Sequence, residues 1–186
     1  MADSAQLATA ASVAFSFTLV GNAITQCFMS IPALLAGFPK PGNPEHAASA
    51  RRLGRQWKEF LFGGEKFFRP TNTLGLLGYS FAALKSAKAT PASTPSFSSS
   101  ADWKLLAVAA GCNFLVILHS AGNMQPLNRK ICHLAELGDE KEITGVEARE
   151  LATAEGYART WIRYNVLRIL LPLVAGIAGL SQLVEH

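Results

Sequence analysis

The sequence predicts an all-α integral membrane fold: a four-helix bundle with short amphipathic helices on its cytoplasmic side, in one domain over residues 1–186. Three observations predict it. From Ser4 to Pro39, 36 residues pass without a formal charge, and from Leu105 to Asn128 another 24 do, where about 20 apolar residues cross a bilayer. Charged residues are 16% and hydrophobic ones 49%, against roughly 25% charged in a soluble protein, and the mean hydropathy is +0.21. The 17 Lys and Arg residues fall mostly in two connecting segments. Disorder, collagen, a secreted disulfide scaffold and a freely soluble enzyme are excluded on these grounds.

The first span covers 7–35, and its Gly21, Asn22, Gln26 and Pro32 require cover from neighbouring helices. No Lys or Arg precedes it, and it exceeds the roughly 7 to 15 residues of a signal-peptide core, so it reads as a retained helix. A cytoplasmic helix follows, capped by Asn43 with Pro44 at its first position and ended by Gly63 and Gly64. Leu53, Trp57, Phe60 and Leu61 share one of its faces and Arg51, Arg52, Arg55 and Lys58 the other, the pattern of a helix resting on an anionic leaflet.

The second span, 71–87, is short, with Gly75, Gly78, Ala82 and Ala83 suited to close helix contact. Ser, Thr and Pro dominate 89–100, a flexible outward linker. The third span, 103–121, is apolar apart from Cys112, Asn113 and His119, and ends before Pro126. After it Leu127, Ile131 and Leu134 form a stripe, and Thr144 with Glu147 makes a capping box. The fourth span, 160–184, carries Pro172 as a candidate kink.

Orientation follows from charge. The first and third connections hold twelve Lys and Arg residues against three, Lys85, Lys88 and Lys104, on the other side. The positive-inside rule makes the basic connections cytoplasmic and both termini luminal. The net charge of +4 is thereby explained without a nucleic-acid partner. Cys27, Cys112 and Cys132 form no CxxC pair and read as reduced or buried.

Polar groups at membrane depth need either a structural partner or a task. Gln26 lies one turn beyond Asn22, and two readings stand, interhelical hydrogen bonding or ligand contact. His119 shares a face with Cys112, with Asn123 one turn further on, and is either a hydrogen-bonded structural group or a catalyst. Trp161, Asn165 and Arg168 recur at i, i+4 and i+7 in one stripe. Arg168 either meets a ligand, snorkels or pairs with a carbonyl. The four histidines lack the spacing and carboxylate companions of a metal helix, and no GxGxxG, Walker loop or Gly-x-Ser-x-Gly elbow is present.

Several segments together resemble the fungal anthrone oxygenase family of small four-span membrane proteins. They are Ser30-Ile31-Pro32-Ala33-Leu34-Leu35, Gln56-Trp57 followed by Gly63, Met124-Gln125-Pro126-Leu127-Asn128, and Trp161 through Asn165 and Arg168 to Leu170-Leu171-Pro172. Phe60 and Leu61 stand where the family often has Tyr after the Gln-Trp pair.

The resemblance implies oxidation of a polyketide anthrone, such as emodin anthrone, to the anthraquinone. O2 would be co-substrate, with no cofactor and no metal. Chemistry placed on the matched positions makes His119 the base, Asn128, Asn165 and Arg168 the oxyanion stabilisers, and Trp161 the wall of a dry planar slot. Asn123 and Gln26 would contact substrate. The implied partners are the anthrone and the bilayer, with a polyketide synthase and thioesterase nearby, and the implied location is the endoplasmic reticulum or a related endomembrane. Two alternatives are another membrane oxidoreductase or hydroxylase of aromatic metabolites, and a non-catalytic membrane binding or assembly protein.

Overall fold

The computed structural model describes residues 3–89, 97, 101–137 and 145–185. Nearly all of the expected linker at 89–100 and the capping-box residue Thr144 lie outside them. Among the described residues the chain is helical, with no strand. Helix α1, Ser4–Thr25, passes through a π-helical turn at Gln26–Ser30 into α2, Ile31–Leu35. Then come α3, His46–Lys88, and α4, Trp103–His119. A second π turn, Ser120–Met124, leads into α5, Gln125–His133, and a 3-10 turn, Leu134–Glu136. The chain ends with α6, Gly145–Ala152, α7, Ala154–Asn165, and α8, Leu167–Glu185.

Among the described residues three helical stretches are long and apolar enough to cross a membrane: Ser4–Leu35, Trp103–Glu136 and Ala154–Glu185. The expected second span, 71–87, forms the end of α3, where Thr71, Asn72, Thr73 and Lys85 lower its hydropathy, and it is not one of the three.

Two boundaries differ from the sequence-based expectation. The helical stretch that carries the third span does not end before Pro126 but continues to Glu136. Proline lacks an N–H and its ring collides with the carbonyl four residues back. The i→i+5 bonding of the π turn widens the helix just before it, and Pro126 then falls in the first two positions of α5, where its missing N–H is tolerated. Pro32 stands in the same relation to the π turn at Gln26–Ser30.

The helix expected to lie on the cytoplasmic side, likewise, does not end at Gly63 and Gly64. Asn43 Oδ1 accepts from the Glu45 N–H at 2.9 Å within a turn, and α3 begins only at His46, then runs 43 residues through both glycines and Pro70. Glycine closes a helix by adopting positive φ. Among the described residues only Gly37, at +68° just after α2, and Gly42, at +93°, do so.

The chain divides into two compact units. The first comprises Met1–Ala23, Phe67–His119 and Leu167–His186. Its interior is small and polar: Thr9, Ser12 and Ser16 of α1, Asn72, Ala82 and Ala83 of α3, Ala109, Ala110 and Asn113 of α4, and Ala175 and Gln182 of α8 are all buried. Tyr79, fully buried, lies 3.3 Å from Ser16 Oγ through its hydroxyl, and Asn72 Nδ2 donates to the Asn113 carbonyl at 3.1 Å. A Cβ on Gly179 would stand 2.6 Å from the Tyr79 ring, and one on Gly176 3.1 Å from Phe17. Helices that approach this closely on small residues are characteristic of membrane interiors. Leu19, Leu106 and Val116 are also buried, but many of the large apolar side chains are exposed, Leu74, Leu77, Phe81 and Leu84 along one face of α3 among them.

The second unit comprises Ile24–Lys66 and Ser120–Val166. Its core is large and apolar, built from Ile31, Leu53, Trp57, Met124, Ile131, Leu134, Leu151 and Trp161. The stripe Leu53, Trp57, Phe60 and Leu61, expected to rest on a leaflet, is therefore spent inside the protein, because the Leu127, Ile131 and Leu134 stripe and the apolar face of α7 pack in the same core. Gly54 permits the approach: a Cβ there would stand 2.5 Å from the Ala135 amide nitrogen and 2.9 Å from the Ile131 carbonyl oxygen. The two ring nitrogens of His46 lie 2.6 Å from the Pro39 carbonyl and 3.0 Å from that of Leu151, joining the start of α3 to the end of α6. All three cysteines are free, Cys27 and Cys112 buried and Cys132 partly so.

Candidate functional site

In the second unit α5 packs against α7, and each helix has an inner and an outer face. On the inner face Asn128 Oδ1 accepts two hydrogen bonds, from Trp161 Nε1 at 2.8 Å and from Trp57 Nε1 at 3.2 Å. An indole N–H only donates, so the oxygen of the amide must be the atom that faces them. The indoles meet edge to face at 5.3 Å, and Phe60 packs 5.6 Å from Trp57 and 5.9 Å from Trp161. Asn128 thus ties α3, α5 and α7 together, and the nitrogen of its amide is the group left to contact anything else. Further along α7, Asn165 Nδ2 donates to Cys27 Sγ at 3.2 Å, and that thiol donates to the Ile162 carbonyl at 3.7 Å.

The outer faces frame a groove of about 390 Å³, lined by Gly122, Asn123, Pro126, Leu127 and Lys130 on one side and Tyr157, Thr160 and Tyr164 on the other. Small-molecule clefts run from about 300 to 1,000 Å³. The π turn at Ser120–Met124 brings Gly122 and Asn123 to the groove, and Tyr157, Thr160 and Tyr164 reach it from one face of α7 through their i, i+3 and i+7 spacing. Lys130 Nζ stands 5.7 Å from the centre of the Tyr157 ring. The Thr160 hydroxyl donates to the Gly156 carbonyl at 2.8 Å. The groove offers a ligand the apolar side chains of Pro126 and Leu127 and the charged one of Lys130.

The sequence-predicted residues are distributed as follows. Asn128 and Trp161 are in contact, Asn165 is joined to Cys27, and Asn123 lines the groove. Gln26 is buried in the first π turn, where its Oε1 meets no donor among the described residues. His119 and Arg168 belong to the first unit, both 8% exposed. The Arg168 guanidinium lies over the Phe68 ring, 3.7 Å from the centre, a cation–π contact.

Sequence reasoning missed Lys130, Tyr157 and Tyr164 as groove residues and Trp57 as a partner of Asn128. The i, i+3, i+7 recurrence of Tyr157, Thr160 and Tyr164 was the available signal for the first group. Among the described residues no three His, Cys, Asp or Glu side chains gather in a way that would hold a metal ion.

The anthrone oxygenase family model matches residues 57–178, more than half of the chain. The matched segment contains every groove residue and begins at Trp57, leaving Gln26 and Cys27 outside it. No curated protein and no solved structure matches the chain.

Proposed function

The chain belongs to the anthrone oxygenase family, and from that premise we propose that it oxidises a polyketide anthrone, such as emodin anthrone, to the anthraquinone with O2. The observation that carries the reading is the family match over 57–178, which spans the whole groove.

The chemistry asks little of a protein. The central CH2 of an anthrone is doubly benzylic and conjugated through the rings to the opposite carbonyl, so loss of one proton gives a delocalised anthranolate. That anion passes one electron to O2, and the resulting radical and superoxide combine at the same carbon. After protonation the hydroperoxide loses water and leaves the second carbonyl. Anthrone and O2 become anthraquinone and water, with the anthranolate as reductant. The protein must supply a base, charge stabilisation and a slot that excludes water.

The groove is the proposed slot, with Asn123 against the substrate and the Trp57, Asn128 and Trp161 cluster holding α5 and α7 in place. The roles expected from the sequence, His119 as base and Asn165 and Arg168 as oxyanion donors, are separate proposals to be judged by substitution, since none of the three is among the residues that line the groove. The proposed setting is a four-span bundle in the endoplasmic reticulum or a related endomembrane, with basic connections cytoplasmic and termini luminal, close to the polyketide synthase and thioesterase that release an anthrone. The outward stripe Leu74, Leu77, Phe81 and Leu84 supports α3 as the fourth crossing.

Membranes containing the chain, incubated with an anthrone under air, are expected to form quinone absorbance faster than control membranes, which report spontaneous oxidation. Equal rates for several anthrones would overturn the reading.

A further inference from the structure

The groove wall carries one formal charge, and it is positive. Of its eight lining residues Lys130 alone carries a formal charge, and no Asp or Glu is among them. Two other lysines are offset by carboxylates, Lys58 by Glu136 at 2.8 Å and Lys85 by Asp3 at 2.7 Å, while Lys66, outside the groove, stands over the Phe62 ring at 3.9 Å. Lys130 has no such ion pair among the described residues. Its neighbour is the Tyr157 ring, which itself lines the groove. An exposed ammonium 5.7 Å from the centre of an aromatic ring, in a groove also lined by apolar Pro126 and Leu127, complements an aromatic anion. With its hydroxyl already donated to Gly156, Thr160 adds bulk and an acceptor to the wall, so the side chains on the wall that carry donors toward such an anion are Lys130, Tyr157, Tyr164 and Asn123, and Lys130 alone among them brings a formal charge.

We propose that the groove is an anion site, selective for the ionised form of a planar polycyclic phenol or enol, with Lys130 as the residue that sets this selectivity. The inference rests on the groove being the substrate site and names the form of substrate it holds: the anthranolate, whose charge lies mainly on the carbonyl oxygen. An opposite charge within about 4 to 6 Å favours the ionised form by about one to three pH units. The same cation thus promotes proton loss from a bound anthrone without itself moving a proton.

The test avoids turnover. The full chain is reconstituted in nanodiscs of zwitterionic lipid and titrated with 2-hydroxyanthraquinone, a planar phenol already at the quinone level whose absorbance moves to longer wavelength on ionisation. The bound dye is expected to ionise about one pH unit lower than in empty nanodiscs, equivalent to about tenfold tighter binding of the anion than of the neutral form. Lys130→Gln should abolish the displacement, whereas Lys130→Arg and Lys66→Gln, a lysine outside the groove, should keep it. Equal binding of both forms by the unaltered chain, or an undiminished displacement in Lys130→Gln, overturns the proposal.

Anthrone turnover is measured on the same preparations. Dye displacement without turnover sinks the oxygenase reading and leaves the anion site standing. Turnover without displacement does the reverse.

Discussion

The two units of this chain are built to opposite rules. In the first, small and polar groups are inside, with Ser12, Ser16, Asn72, Asn113 and Gln182 buried among alanines and glycines, while Leu77, Leu84, Ile177 and Val184 are more than half exposed. In the second, Trp57, Trp161, Ile131 and Leu134 are inside, and Arg52, Arg55, Lys58, Arg129 and Lys130 are outside. The same physics produces both patterns. Where the surroundings are hydrocarbon, burying leucine gains nothing, so helices join through close backbone contact and internal hydrogen bonds. Where the surroundings are water, burial of large apolar area is the driving force. A single helix obeys both rules: α3 buries Leu53 and Trp57 in one unit and turns Leu77 and Leu84 outward in the other. The two patterns are those that hydrocarbon around the first unit and water around the second would produce, a difference that hydropathy averaged over the chain conceals.

Removal of an aromatic anchor from the second unit should give the largest effect. Trp161→Ala deletes a side chain 2% exposed and a donor to Asn128, at an expected cost of about 3 to 5 kcal/mol. Near-UV circular dichroism during thermal unfolding in nanodiscs reads the loss, since Trp57 and Trp161 dominate that region. A change below about 1 kcal/mol would mean that the aromatic core does not hold the second unit together.

The contrast between the units also decides how much of the molecule was legible in the sequence. Long charge-free runs were legible, because 36 residues without a charge need no knowledge of neighbours to be read as a span. The π turns were not: Pro32 and Pro126 were visible, but whether a proline ends a helix or follows a widened turn depends on the register of bonds before it. Gly63 and Gly64 misled in the same way, since glycine permits a stop without imposing one. In the site, the stripe of Trp161 and Asn165 was readable from spacing along one helix. The junction of Asn128 with Trp57 joins residues 71 apart and exists only once α3 and α5 pack. Lys130 was hidden among other basic residues, its distinction being the carboxylate-free aromatic wall around it.

A charge placed on each outer surface tests which solvent that surface meets. Leu77 and Gln56 are both exposed positions on α3. If the outward face of 71–87 meets lipid, Leu77→Arg should cost about 2.5 to 3.5 kcal/mol of insertion free energy, while Gln56→Arg stays within about 0.5 kcal/mol. The inserted fraction of chain made in vitro in the presence of microsomes measures the difference. Equal insertion of the two variants would return that part of α3 to an aqueous setting and reduce the proposed bundle to three crossings.

The smallest expected effects come from giving single glycines a methyl group, and here the two units should differ in sign. Gly179 lies where α8 meets its neighbours, and a Cβ there would stand 2.6 Å from Cε1 of the Tyr79 ring and 2.8 Å from Val13 Cγ2. The ring is fully buried and its hydroxyl lies against Ser16, so it has little room to retreat, and Gly179→Ala should destabilise by about 1 to 3 kcal/mol through overpacking. Gly156, on the exposed side of α7, has nothing within 4 Å of the same atom. There the added methyl restricts only the unfolded chain, and Gly156→Ala should stabilise by about 0.5 kcal/mol. Thermal unfolding of both variants in one nanodisc preparation gives the two signs directly. A neutral Gly179→Ala would show that the helices of the first unit separate at little cost, and with that the close-contact rule that distinguishes it from the second unit would fail.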